Sequence, residues 1–146
     1  MTNKDYTSMV YEKIGVIGAG SWGTALACVA AKAGRDVTLW AMEPDVVDSI
    51  TRTGINEQYL PDAFLPPSVR ATNDLASAAR ADVLLSATPA QHMREILRHL
   101  APYLVDDVPV VLCAKGIERT SGLLLTEVLA ETLPHARVAI LSGPSL

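Results

Sequence analysis

Six residues near the start of the chain, Gly18-Ala19-Gly20-Ser21-Trp22-Gly23, restrict its fold more than any other feature. They follow a short β-branched run, Lys13-Ile14-Gly15-Val16-Ile17, and open an alanine-rich stretch from Ser21 to Ala33 that Gly34 stops. The spacing G-x-G-x-x-G between a strand and a helix has a mechanical reading. The first glycine allows a tight turn, the second lets backbone approach a diphosphate, and the third lets helix and strand pack closely. The helix then aims unpaired amides and its positive end at the anion.

The rest of the chain keeps the same rhythm of brief apolar runs and helical stripes, the mark of a parallel sheet covered by helices. Strands are expected at Asp36–Trp40, Val69–Ala71, Val83–Ser86, Val110–Ala114 and Val138–Leu141. Helices are expected from Pro44 to about Thr53, Asp74 to Arg80 with Asn73 or Asp74 as cap, Gln91 to Leu100, and Leu123 to Leu133. Met93, Ile96, Leu97 and Leu100 form the stripe of the third of these. Gly54 to Ser68, with three prolines, is expected to be a loop. The fold class is therefore α/β, a doubly wound parallel (Rossmann) sheet in a single domain. Residues 1–12 are expected to be a polar extension and 13–146 the dinucleotide-binding domain. The chain stops at Gly143-Pro144-Ser145-Leu146 straight after a strand and with no closing helix, so the ending is expected to be a cut.

Composition narrows the function classes. A 146-residue chain, 49% hydrophobic and 19% charged, can bury a core. Its formal net charge of -4 argues against a nucleic-acid binder. No apolar run reaches the ~18–20 residues of a membrane span, and Met1 to Glu12 lack the apolar stretch of a secretion signal. Cys28 and Cys113 sit among apolar residues and read as buried thiols in a reducing cytoplasm.

Several side chains are candidates for chemistry. Glu43 follows the second strand about 20 residues after the glycine turn, where an acid commonly holds the adenosine ribose hydroxyls. Facing the ribose, it would repel a 2′-phosphate and favour NAD; alternatively it caps the helix beginning at Pro44. Asp45 is a second candidate for the ribose. Lys115 ends a strand beside Gly116, at the sheet edge where ligands bind; there it could steer a phosphorylated substrate and stabilise charge on a carbonyl oxygen. The alternative is an exposed lysine ahead of a turn. His92, His99 and His135 have no metal-ligand spacing, so no metal is assigned. Ser86 and Ser142 lack a matching base for nucleophilic catalysis. Trp22 and Trp40 could serve as packing aromatics, Trp40 above all.

Taken together, five ordered segments resemble the bacterial NAD(P)-dependent glycerol-3-phosphate dehydrogenases. They are Gly18 to Ala27 with Leu39-Trp40-Ala41, Asn56-Glu57-Gln58-Tyr59-Leu60-Pro61, Thr88-Pro89-Ala90, Ala114-Lys115-Gly116-Ile117-Glu118 and Ser142-Gly143-Pro144-Ser145. The resemblance covers nearly everything from Lys13 onward. It implies a two-domain enzyme that interconverts dihydroxyacetone phosphate and sn-glycerol 3-phosphate for phospholipid synthesis, using NAD or NADP. It implies that Gly18, Ala19, Gly20, Ser21, Trp22 and Gly23 contact the cofactor, as do Pro89, Tyr59 and Lys115. Lys115, Gly143 and Ser145 would line the substrate pocket, and the general acid/base would be a lysine of the helical domain. A homodimer is among the expectations for the full-length enzyme. One departure stands out: many members carry His or Arg after the Trp-Ala pair, suited to a 2′-phosphate, whereas this chain has Met42 and Glu43. Two other classes remain open. One is a Rossmann reductase of ketopantoate reductase or hydroxyacid dehydrogenase type; the other is a non-catalytic module that senses NAD(H).

Overall fold

The computed structural model describes residues 11–142; the N-terminal extension up to residue 10, and Gly143 and Ser145, lie outside the described residues. Six strands form one sheet: β1 (Lys13–Ile17), β2 (Asp36–Trp40), β3 (Val69–Thr72), β4 (Val83–Ser86), β5 (Pro109–Leu112) and β6 (Arg137–Ile140). All pairings are parallel and the spatial order is β3-β2-β1-β4-β5-β6. This is the doubly wound arrangement, with its reversal of direction between β1 and β4. The helices are α1 (Ser21–Lys32), α2 (Pro44–Thr53), α3 (Leu75–Ala79), α4 (Ala90–Leu100) and α5 (Leu125–Thr132).

Two cores hold the layers together. On one face Val16, Val37, Leu39 and Val46 pack with Ala27 and Ile50; on the other Ile17, Leu84, Val110, Met93, Leu97, Leu100 and Leu129 pack together. The stripe Met93, Ile96, Leu97, Leu100 is buried as its spacing requires. The central strands are buried on both faces, which explains why they read as unbroken apolar runs.

Register decides where the functional rim lies. Ile17 pairs with Trp40 and with Ser86, and Ser86 pairs with Leu112, so the carboxyl ends of four strands finish level. The residues just beyond them are laced across the rim: Gly18 N donates to Trp40 O (3.0 Å), Ala87 N to Ile17 O (2.9 Å) and Cys113 N to Ser86 O (2.9 Å).

Some boundaries differ from the expected ones for identifiable reasons. The third helix is Leu75–Ala79, and Asp74 is its cap, its carboxylate accepting Ala76 N–H at 3.1 Å. β5 ends at Leu112, two residues before the expected Ala114, because the Cys113 carbonyl turns to accept the Trp22 indole. α5 starts at Leu125 and not at Leu123, since Leu123 O accepts Glu118 N–H and Leu124 forms a bridge with Ile117. The Glu127 carboxylate accepts the Leu124 N–H at 2.8 Å and closes that helix start. A single 3-10 turn at Ala101–Tyr103, containing Pro102, follows α4. Among the described residues no helix is long and apolar enough to cross a membrane.

Candidate functional site

The glycine turn sits where β1 ends, at the reversal point of the sheet. Gly18 has φ +114°, a conformation open to glycine, and its position against Ala87 and Thr88 leaves no room for a side chain. A Cβ on Gly23 would stand 1.8 Å from the Gly18 carbonyl, so this glycine allows α1 to rest on the turn. Gly20 is different. A Cβ there would meet nothing within 4 Å, so packing does not call for a glycine; the open space lies in front of the helix start. α1 begins with no side-chain cap and no acidic residue in its first turn. Such an end presents amides and a positive dipole to an anion. Gly18 and Gly23 thus serve the tight turn and the close helix packing expected of the first and third glycines.

A cavity of about 430 Å³ opens over this turn. Its walls are Gly18 to Gly23, then Trp40, Met42, Glu43 and Tyr59 on one side, and Ala87, Thr88, Pro89, His92 and Ile96 on the other. The candidates Gly18, Ala19, Gly20, Ser21, Trp22, Gly23, Glu43, Tyr59 and Pro89 are therefore brought into one place. A hollow of about 470 Å³ at the opposite, amino edge is lined by Lys13, Asp36, Arg70 and Arg80 among others. Asp36 is paired there with Arg70 at 3.2 Å and both are well exposed, an ion pair that solvent screens.

Glu43 is the N-cap residue of α2, but not through the carboxylate that its sequence context suggested for that role. Its carbonyl accepts Val46 N–H at 3.2 Å as the N-cap residue of α2, while its side chain makes no cap bond. The carboxylate turns away and accepts the Tyr59 hydroxyl at 2.7 Å. That bond to a carboxylate, chiefly, raises the Tyr59 pKa. Asp45, in the first turn of α2, is exposed and does not line the cavity.

Trp22 and Trp40 part company. Trp40 is only 6% exposed and donates its indole N–H to Asn73 O at 2.9 Å, although its edge reaches the cavity. Trp22 is 53% exposed and donates to Cys113 O at 3.0 Å, tying the glycine turn to the end of β5. Lys115 lies two residues beyond Cys113, exposed and outside the cavity wall.

With this geometry in hand, comparison with known proteins becomes decisive. The profile of the family described as "NAD-dependent glycerol-3-phosphate dehydrogenase N-terminus" matches residues 13–146. The chain belongs to that family. It is 57% identical over 138 residues to the glycerol-3-phosphate dehydrogenase [NAD(P)+] of Parvibaculum lavamentivorans, covering 94% of this chain and 41% of that protein. The same enzyme of Caulobacter vibrioides is 53% identical over 137 residues, covering 94% and 41%. Among solved structures, a glycerol-3-phosphate dehydrogenase from Coxiella burnetii superposes with TM-score 0.86 at 36% identity, covering 93% of this chain and 42% of that one. The chain thus spans about two fifths of the length of these relatives. A ketopantoate reductase from Ralstonia eutropha JMP134, with TM-score 0.69, 23% identity and cover of 88% and 40%, shares the fold alone.

Within this family domain, several residues do work that the sequence did not reveal. Asn56, fully buried, donates through Nδ2 to Ala19 O and to Thr24 Oγ1, both at 2.9 Å, and its Oδ1 accepts Tyr59 N–H at 3.1 Å. The Asn-x-x-Tyr loop is therefore bolted to the glycine turn. Glu118 is also buried. Arg94 Nε contacts its two oxygens at 3.0 and 2.9 Å, and Ser121 donates to it at 2.6 Å. The Arg94 guanidinium, followed by the Ser121 hydroxyl, holds the Glu118 carboxyl below its ordinary range. Gln91 adds two bonds, donating to Ile117 O (3.0 Å) and accepting Arg119 N–H (2.9 Å). The loop after Lys115 is thereby clamped to α4. The final acid of the Ala-Lys-Gly-Ile-Glu segment is part of this clamp. Met42 lines the cavity, as do His92 and Ile96, which no residue pattern had indicated. Both cysteines are buried and unpaired, and burial pushes the Cys113 thiol up to about 11.

Proposed function

We propose that this chain is the dinucleotide-binding part of an NAD(P)-dependent glycerol-3-phosphate dehydrogenase, interconverting dihydroxyacetone phosphate and sn-glycerol 3-phosphate. The observation that carries the reading is the empty approach to Gly20 beneath an uncapped helix start at the sheet's reversal point. Backbone amides of the Gly18–Gly23 turn would receive the diphosphate bridge of NAD or NADP. Pro89 and the first turn of α4 would wall the groove opposite Met42 and Glu43, giving an adenosine slot with one apolar and one acidic flank. When bound, the nicotinamide ring gives or takes the hydride.

The chain's own residues orient that reaction. Trp22 links the diphosphate turn to the end of β5, and the Arg94–Glu118 clamp fixes the loop that presents Lys115. Lys115 would attract the substrate phosphate and stabilise charge on the carbonyl oxygen. Gly143 and Ser145 would extend the pocket. The general acid/base, a lysine of a helical domain, would come from the part of the relatives that this chain does not span. A cytoplasmic enzyme, dimeric at full length, fits this reading. Identity of 57% to a named dehydrogenase, against 23% to a ketopantoate reductase, supports it over the other reductase classes.

The test is an amide-resolved titration of purified 1–146 with NADH. Shifts centred on residues 18–23, with no turnover of dihydroxyacetone phosphate, are expected. Unmoved signals in a folded sample, or substantial turnover by this chain alone, would defeat the proposal.

A further inference from the structure

We propose that Glu43, aimed by Tyr59, makes this site select NAD(H) over NADP(H), with Tyr59 acting as a positioning residue. The inference rests on the dinucleotide reading above and adds to it a cofactor choice and a device that enforces the choice.

Three observations converge. The first is a continuous hydrogen-bond path: Ala19 O accepts from Asn56, Asn56 Oδ1 accepts from Tyr59 N–H, and the Tyr59 hydroxyl donates to Glu43 Oε2 at 2.7 Å. Asn56 is fully buried, so the path starts from a rigid point in the glycine turn itself. The spacing between the diphosphate cradle and the carboxylate is therefore set by short bonds and not by a freely rotating glutamate. The second is acceptor arithmetic. A carboxylate accepts at two oxygens; Tyr59 occupies one side of Oε2, and Oε1 stays available for the donating hydroxyls of a ribose. The third is charge. Among the described residues lining the cavity there is no arginine or lysine. A 2′-phosphate, carrying about -1.5 to -2 charge near neutrality, would face Glu43 and find no cation there to offset it.

Tyr59 matters because an exposed glutamate that is free to rotate can swing away from a phosphate and surrender its discrimination. Held by the phenol, it cannot do so without breaking a charge-assisted bond. The phenol itself needs no contact with the cofactor.

The experiment titrates the intact chain with NADH and with NADPH, following tryptophan fluorescence, in the parent and in Glu43→Gln, Tyr59→Phe and the double variant. Both substitutions are near-isosteric, and a melting curve for each checks the fold. The parent is expected to bind NADH at least tenfold more tightly than NADPH. E43Q should bring that ratio within about threefold, chiefly by gaining NADPH. Y59F should lower the ratio about threefold or more in the parent and leave it unchanged in the E43Q background. A parent that prefers NADPH, or a ratio indifferent to Y59F, overturns the proposal. An equal Y59F effect with and without Glu43 also overturns it, because Tyr59 would then touch the cofactor directly. Absence of binding by either dinucleotide brings down the dinucleotide reading itself, and this inference with it.

Discussion

Substituting alanine at Gly20 and at Gly23, three residues apart in the same turn, should produce opposite phenotypes. At Gly23 the added Cβ would lie 1.8 Å from the Gly18 carbonyl oxygen, where real Cβ atoms stay beyond 3.0 Å. Backbone must then give by about an ångström at the one place where strand, turn and helix meet. Overpacking of a well-packed site costs about 1–3 kcal/mol, and a backbone obstacle belongs at the top of that range. For a domain of this length, each kcal/mol moves the melting temperature by about 2–4 °C, so G23A should melt roughly 6–12 °C lower. At Gly20 the backbone sits at φ -69° and ψ -173°, which any residue adopts, and the new methyl meets nothing within 4 Å. The fold should be unaffected or gain up to about 1 kcal/mol from the stiffer unfolded chain.

Ligand binding reverses the order of damage. The methyl of G20A would project into the space before the first turn of α1, where the diphosphate has to approach. Losing two amide–phosphate hydrogen bonds, each worth about 1.5–3 kcal/mol, removes at least ~3 kcal/mol, more than a hundredfold in affinity. Thermal unfolding and NADH titration of both variants measure the two effects separately. The reasoning is refuted by a G20A variant that binds within about threefold of the parent, or by a G23A variant that melts with the parent.

Other perturbations probe the supporting network. Because Arg94 and Ser121 depress the Glu118 pKa, the carboxylate contributes stability in full above its ordinary 4.5 and loses it as pH falls through the lower folded value; E118Q should therefore melt several degrees below the parent at pH 7 and converge with it at acid pH, and a gap constant across that range would contradict the pairing. Cys28 and Cys113, both buried and with thiol pKa values raised by burial, should label slowly with a disulfide reagent at pH 8 until denaturant is added; immediate labelling of both would show the core to be open. NADH should quench the exposed Trp22 more strongly than the buried Trp40, both of which line the cavity, so the quench should shrink more in Trp22→Phe than in Trp40→Phe; the reverse pattern would place the ligand elsewhere.

The first half of the chain was far more legible than the second, and the reason is local. β1, β2 and α2 occupy the expected spans, and α1 ends one residue before the expected Ala33, because each boundary is written in adjacent residues. A glycine turn opens α1, Gly34 follows its end, and Pro44 stands in the first turn of α2. Around β5 and α5 the boundaries moved by one or two residues, because side chains distant in sequence decide them. Trp22, 91 residues away, captures the carbonyl that would have continued β5. A loop bridge between Ile117 and Leu124 consumes the first residues that helical periodicity assigned to α5. β6 was expected as a strand at Val138–Leu141 and lies at Arg137–Ile140, and all four residues of this edge strand are exposed on this domain.

The same distinction separates contact residues from supporting ones. Of the residues that would touch a cofactor, the glycine turn and Glu43 could be read from spacing, because the chemistry dictates those intervals, whereas Tyr59, Pro89 and Lys115 were implied by the family resemblance. Asn56, Gln91 and Arg94 could not, because their partners lie 24 to 37 residues away and only the fold brings them together. Yet these three convert the motifs into a site: Asn56 joins the ribose corner to the diphosphate turn, while Gln91 and Arg94 fix the loop that carries Lys115. The two clamps are built from different residues on different elements. Losing either one should therefore degrade one corner of the groove and leave the other in place. Asn56→Ala, for instance, should impair Glu43-dependent discrimination between dinucleotides while leaving hydrogen exchange in the 115–121 loop as it was.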